Sequence, residues 1–369
     1  MLTARSDVVG SLLRPPELLA VLERHGSGEA SDAELAAAED AAVDAALRLQ
    51  EQAGLEVVTD GEMRRLSFQS QFPAAVDGFA EWDLDAFLWG DWHSDEETVG
   101  DRSLERPPLA VIEPLRRRRF LSAHEFAYAR DRTDRILKVT LPSPSMLSSF
   151  WDPERSTGAY PSLEAYLADV AEILREEVDE LVRLGCTYIQ LDAPQYPLLV
   201  DPTWRDFYAS RGWPAERWLG LGLELDNHVI GNRPGVTFGF HLCRGNQGSR
   251  WLVSGGYDWL ASRVFPVIRA ERLLLEYDDE RSGGFEPLAQ VPDGKVAVLG
   301  LVTTKTGRRE TVEDLSARIR EAARFLPLDR LALSPQCGFA TSILGNALTV
   351  DDERAKLATI AETATAVWG

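Results

Sequence analysis

The sequence predicts an α/β fold of the (β/α)8 barrel type, a TIM barrel, on three observations. Eight short apolar runs alternate with longer amphipathic stretches of helical period. Glycines stop two of those stretches in matching phrases, EQAGLEVVTD and VRLGCTYIQLD. Unusual polar residues gather at the C-terminal ends of the apolar runs, where such barrels carry function.

Taken in chain order, the first run spans residues 7–10 and is followed by Ser11. A helical stretch over 32–54 closes on Gly54 and leads into the second run, 57–60, which ends at Asp60 with Glu62 just beyond. Residues 72–135 then break the alternation. They hold Trp82, Trp89 and Trp92, the acidic phrase DWHSDEE and the basic run Arg116 to Arg119, and read as an antiparallel insertion after the second strand. A cover for a pocket and a plain packing hairpin are both open for it.

The third run, 136–140, leads to Pro142 and Ser143, and a helical stretch over 162–185 closes on Gly185 before the fourth run, 188–191, and Asp192. After a helix over 213–227, the fifth run, 237–241, ends on His241, with Cys243 two residues later. A helix over 257–270 precedes the sixth run, 272–276, which ends on Glu276. The seventh run, 296–299, a helix over 311–325, the eighth run, 331–333, with Cys337 beyond it, and a last helix over 350–367 complete the pattern. No repeat or long Pro/Gly/Ser linker interrupts it, so one catalytic domain over 1–369 is the simpler organisation.

Charge excludes several classes of partner. Against 39 Lys and Arg stand 59 Asp and Glu, a formal net charge of −20, which repels phosphate backbones and anionic membrane surfaces; nucleic acid and membrane are not expected partners. The Arg116 to Arg119 run reads as a solvated surface segment. The N-terminal decapeptide has no apolar signal core, no stretch is apolar enough to span a bilayer, and three cysteines cannot build a disulfide framework. A cytoplasmic protein is expected.

Two of those cysteines belong to a constellation with His241 and Glu276. Cys243, Cys337, His241 and Glu276 offer S, S, N and O donors from distant segments, a ligand set for tetrahedral Zn2+ that the fold must gather, and such dispersion favours a catalytic metal over a structural knuckle. Cys186 sits apart in GCTYIQ and reads as core.

HLCRGN, LLLEYDD and SPQCGFAT, together with VVGSLLRP, VVTDGEMRR and YIQLDAP in the same order, resemble the cobalamin-independent methionine synthase family in its short, single-barrel form. The resemblance implies that His241, Cys243, Glu276 and Cys337 hold zinc, with His241 and Glu276 also counted as catalytic. It implies that Ser11 contacts the carboxylate of homocysteine and that Glu62 and Asp192 accept its ammonium group. Its fourth-strand motif often reads Asp-Glu-Pro, where this chain has Asp192, Ala193, Pro194. The expected reaction is methyl transfer from a methylated folate, or another methyl donor, to homocysteine, giving methionine. The alternative is a transferase resembling the epoxyalkane:coenzyme M enzymes, in which Arg14, Arg64 and Arg65 would receive a sulfonate.

Overall fold

The structure is a computed structural model describing residues 2–369. Its strands are β1 (Val57–Val58), β2 (Val76–Phe79), β3 (Gly90–Trp92), β4 (Arg102–Leu104), β5 (Val111–Arg117), β6 (Ile136–Pro142), β7 (Tyr188–Asp192), β8 (Thr237–Leu242), β9 (Arg272–Glu276), β10 (Val296–Val302) and β11 (Leu331–Pro335). Seven of them form one all-parallel sheet in the order β1-β6-β7-β8-β9-β10-β11, curled in the manner of a TIM-like barrel. Strands covered on both faces read as unbroken apolar runs, which is why YIQLD, TFGFHL, VAVLGLV and LALSP are almost entirely buried.

Helices pack on the outside of the sheet. Leu163–Arg183 begins where the Ser162 hydroxyl accepts the Ala165 N–H, and it buries Tyr166, Leu167, Val170, Leu174, Val178 and Leu181, a stripe at three- and four-residue spacing. Asp32–Gln52 opens on a Ser31/Glu34 capping box, and Val350–Trp368 on a Thr349/Asp352 one. Gly54 and Gly185 stand at φ 87° and 97°, left-handed positions that end the two helices as their phrases suggested.

Three elements differ from expectation. Residues 7–10 form no strand: Ser6 makes a single parallel bridge to Leu333 of β11, and on the other side the Arg5 and Ser6 amides donate to the Glu56 carboxylate rather than to a ladder partner. The segment still reaches both edges of the sheet, since the Asp7 amide donates to the Leu333 carbonyl, Thr59 Oγ1 to the Gly10 carbonyl and the Leu12 amide to the Gly61 carbonyl. The strand expected over 57–60 stops at Val58 because the Gln50 side chain takes both the amide and the carbonyl of Thr59. The helix expected over 257–270 is only Asp258–Val264, ended by Pro266.

Between β1 and β6 the chain makes two antiparallel ribbons, β2 with β5 and β3 with β4. The main-chain amides and carbonyls of His93 and Trp251 pair with each other, tying the β3–β4 ribbon to the loop that follows β8. No described helix is long and apolar enough to cross a membrane.

Candidate active site

Alternation along β8 sends His241 and its second neighbour Cys243 to the same face. The loop after β11 brings Cys337 to them, so that the Cys243 and Cys337 sulfurs lie 3.5 Å apart and the three donors lie within 4.8 Å of one another. All three side chains are buried, and both ring nitrogens of His241 lack a hydrogen-bond partner. Polar atoms left unpaired in the interior are costly, which makes two orphaned imidazole nitrogens beside two sulfurs a ligand set in waiting. The donors fit zinc. The Cys337 sulfur, burial and the Glu276 carboxylate push the Cys243 thiol well above its ordinary range, while burial opposes charging of His241 and Cys243, Asp192 and Glu276 together raise it.

Glu276, the last residue of β9, is fully buried beside this trio but is engaged elsewhere. Its Oε1 accepts from Lys305 Nζ at 3.0 Å and its Oε2 from the Arg244 amide at 2.7 Å. Burial would raise its pKa, and Lys305 and Arg244 hold it below the ordinary value instead.

The register of the sheet sets Asp192 of β7 directly opposite His241 of β8. Asp192 Oδ1 accepts from Gln190 Nε2 at 2.6 Å, and burial with the nearby Glu62 charge pushes this carboxyl up to about 6, against the pull of His241. Glu62 occupies a turn after β1 in which Asp60 Oδ1 accepts the Glu62 amide at 2.9 Å and Thr59 Oγ1 accepts the Gly61 amide at 3.2 Å. The turn holds Glu62 at φ 57°, a left-handed conformation that non-glycine residues seldom adopt and that marks functional sites. Its Oε1 accepts from Thr140 Oγ1 at 2.7 Å, and its Oε2 is buried without a partner. The close approach depends on Gly10, where a Cβ would lie 2.5 Å from Glu62 Oε1, and on Gly338, where one would lie 2.0 Å from Ser11 Oγ.

Ser11, Glu62, Asp192, His241, Cys243 and Cys337 line one cavity enclosing about 1140 Å³, its open mouth included. Glu276 is not on its wall. Asp60 is absent from it too, its carboxyl serving the turn and lying with Arg65 and Glu125. Among the described residues, neither lysine nor arginine lines the cavity. Arg14 donates to the carbonyls of Leu12, Ala340, Glu62 and Arg65; Arg65 meets Glu125, Ser122 and Thr140 and lies 3.5 Å from Glu62 Oε1; Arg64 pairs with Glu39 and Asp40. The opposite wall is aromatic. Phe87, Trp89 and Trp92 come from the segment between β1 and β6, and Trp204 and Tyr208 from the helix Pro202–Ser210, with the Trp89 and Trp204 rings 5.2 Å apart.

Sequence reasoning missed Trp204, Tyr208, Asn246 and Gln247 on this wall. Asn246 and Gln247 continue the phrase that carries His241 and Cys243, a signal that was available; Asn246 Nδ2 donates to the Gly338 carbonyl at 2.8 Å and so joins the loops that carry Cys243 and Cys337. Cys186 is a core residue, as expected, its thiol pushed up to about 12 by burial.

Comparison with known proteins agrees with this geometry. Residues 3–355 match the family described as cobalamin-independent synthase, catalytic domain. The chain is 34% identical over 99% of its length to an uncharacterised protein, YxjH, of Bacillus subtilis, covering 94% of it, and 27% identical over 90% of its length to a methionine synthase of Pyrococcus abyssi, covering 85%. It covers only 40% of a 5-methyltetrahydropteroyltriglutamate–homocysteine methyltransferase of Synechococcus at 24% identity. A solved structure from Listeria monocytogenes, titled a putative vitamin-B12 independent methionine synthase, superposes with a TM-score of 0.71 at 25% identity, covering 100% of this chain and 98% of that one. With the match running from residue 3 to residue 355, the chain belongs to the cobalamin-independent methionine synthase catalytic-domain family.

Proposed function

We propose that this protein is a zinc-dependent thiol methyltransferase that forms methionine from homocysteine. The observation that carries the reading is one cavity in which a His–Cys–Cys donor set faces two buried carboxylates, with no cation on the wall. His241, Cys243 and Cys337 would hold the metal, and Glu276, released from Lys305, would be the fourth ligand. Bound there, zinc deprotonates a thiol that is otherwise protonated at neutral pH and keeps the sulfur nucleophilic among anionic ligands.

The remaining work falls to the chain's own residues. Glu62 and Asp192 accept the ammonium group in charge-assisted hydrogen bonds, Glu62 through its unpartnered oxygen, and Ser11 contacts the carboxylate. The aromatic wall excludes water and offers flat apolar surface to the methyl donor, a methylated folate or another methyl carrier. As the methyl carbon bonds to sulfur, its bond to the donor's leaving atom breaks.

The coenzyme M alternative is disfavoured by the arginines. A sulfonate needs guanidinium donors on the wall, and Arg14, Arg64 and Arg65 do not line the cavity, the donors of Arg65 being taken by Glu125, Ser122 and Thr140 behind Glu62. Metal analysis of the purified protein, with zinc-edge X-ray absorption during titration by homocysteine and by coenzyme M, tests both readings. One zinc per chain and a new Zn–S bond from homocysteine alone supports methionine formation; a response to coenzyme M alone supports the alternative, and protein without metal sinks both.

A further inference from the structure

Behind Asp192 lies a chain of polar groups in which each donor proton of Lys138 and of the Gln190 amide has one destination. Lys138, in the middle of β6, is fully buried, and an ammonium group has three N–H donors and no acceptor. They go to Asp7 Oδ1 at 2.9 Å, to the Val8 carbonyl and to Gln190 Oε1 at 2.7 Å. A side-chain amide is chemically two-faced, and its orientation follows from its partners. Because Lys138 can only donate, it fixes the Gln190 oxygen on its own side and turns the NH2 group the other way. Those two protons go to the Val9 carbonyl at 2.9 Å and to Asp192 Oδ1 at 2.6 Å. Asp7, at the far end, is held in turn by Tyr188 Oη at 2.8 Å and Arg272 at 3.2 Å.

We infer that Gln190 is a positioning residue: locked by Lys138, it ties down one oxygen of Asp192 so that the carboxylate presents its other oxygen to the ammonium group of the substrate. This rests on the homocysteine reading above and names what sets its selectivity. Gln190 does not line the cavity. Of the cavity-lining groups it meets the Val9 carbonyl and the Asp192 carboxylate, and only the carboxylate offers a charge to an ammonium group, so its role belongs to ammonium recognition and not to thiol binding.

The test is calorimetric titration of the zinc-loaded protein with homocysteine and with 4-mercaptobutanoate, which keeps the thiol and carboxylate but lacks the ammonium group. Taking the ratio of the two affinities cancels whatever the metal contributes. Gln190→Met should weaken homocysteine about tenfold, the usual scale for a lost hydrogen bond to a charged group, and leave 4-mercaptobutanoate unchanged. In an Asp192→Asn background, Gln190→Met should change the ratio no further, because the two substitutions break one connection. Equal weakening of both thiols, an unchanged ratio, or a full effect that persists without the Asp192 carboxylate overturns the inference. Gln190→Asn, polar and one methylene shorter, answers the same question if the methionine variant does not fold. A wild-type protein with no preference for homocysteine sinks the underlying reading instead, and that result is distinct from a preference which survives Gln190→Met.

Discussion

The two ends of the parallel sheet treat buried polar groups in opposite ways. At the N-terminal end of the strands, Asp7, Lys138, Tyr188 and Arg272 form a buried network in which nearly every polar atom is paired, Arg272 Nε being the exception. At the C-terminal end, His241 Nδ1 and Nε2, Glu62 Oε2 and Gln195 Oε1 are buried without partners, and Glu62 is held in a left-handed conformation. Interiors that fold for stability pair most of their polar groups, and these four unpaired atoms share the wall of one cavity, where a ligand would complete the pairing. The first end braces the barrel, and the second is where the proposed chemistry falls.

The largest expected effect separates the two ends outright. Cys243→Ser or Cys337→Ser should abolish metal retention and turnover while leaving the melting transition near that of the metal-free parent, since the Cys243 sulfur meets the Cys337 sulfur and the Gly245 amide, contacts that a serine hydroxyl can also make. A double variant that keeps its metal and its activity would end the catalytic reading. At the other end, Lys138→Met should cost about 3–5 kcal/mol of stability, the scale for removing one partner of a buried ion pair, measured by denaturant unfolding. A loss below about 1 kcal/mol would mean that Arg272 and Tyr188 suffice to hold Asp7, and that the network is not the brace described here.

Glu62→Gln is the sharper comparison because it alters charge and almost no volume. It should weaken homocysteine binding by about 10- to 100-fold, as expected for one to two charge-assisted hydrogen bonds, and leave zinc content unchanged. Its stability should fall, because the Glu62 carboxylate is a counter-charge 3.5 Å from the buried Arg65 guanidinium. Unaltered homocysteine affinity would remove Glu62 from the site.

How much of this was legible in the sequence follows from the same physics. Strands β6 to β11 announce themselves because burial on both faces demands continuous apolar residues, and the helices because one stripe faces the sheet. The segment at 7–10 reads as a strand from its valines, yet the amides that lead into it, of Arg5 and Ser6, go to the Glu56 carboxylate, a contact across about fifty residues that no local pattern encodes. His241, Cys243 and Cys337 were legible as unusual residue types at strand ends. Trp204 and Tyr208 were not, since a wall assembled from distant helices has no periodicity of its own. Lys138 offered a signal that went unread: a lysine inside ILKVTLP has no place in an apolar strand unless a buried acceptor awaits it.

The smallest prediction tests whether an uncomfortable buried charge is enough to mark a site. Glu353, on the last helix, is buried, accepts the Leu13 amide at 2.9 Å, and has its pKa pushed up to about 8 by desolvation, farther than Asp192, yet it does not line the candidate cavity. Its folded-state pKa lies above the usual carboxylate value of 4.5, so between that value and about 8 the folded chain holds a proton that the unfolded chain has released. Stability from this group is present in full below the lower value and falls as pH rises through the window. Glu353→Gln should therefore flatten the decline in unfolding free energy across it and gain about 1–3 kcal/mol over the parent above the upper end, with homocysteine binding untouched. A variant that gains stability but loses affinity would show that strain in this helix is coupled to the Ser11 loop through Leu13; one that changes neither would mean that water reaches the carboxylate and its burial is less complete than the packing indicates.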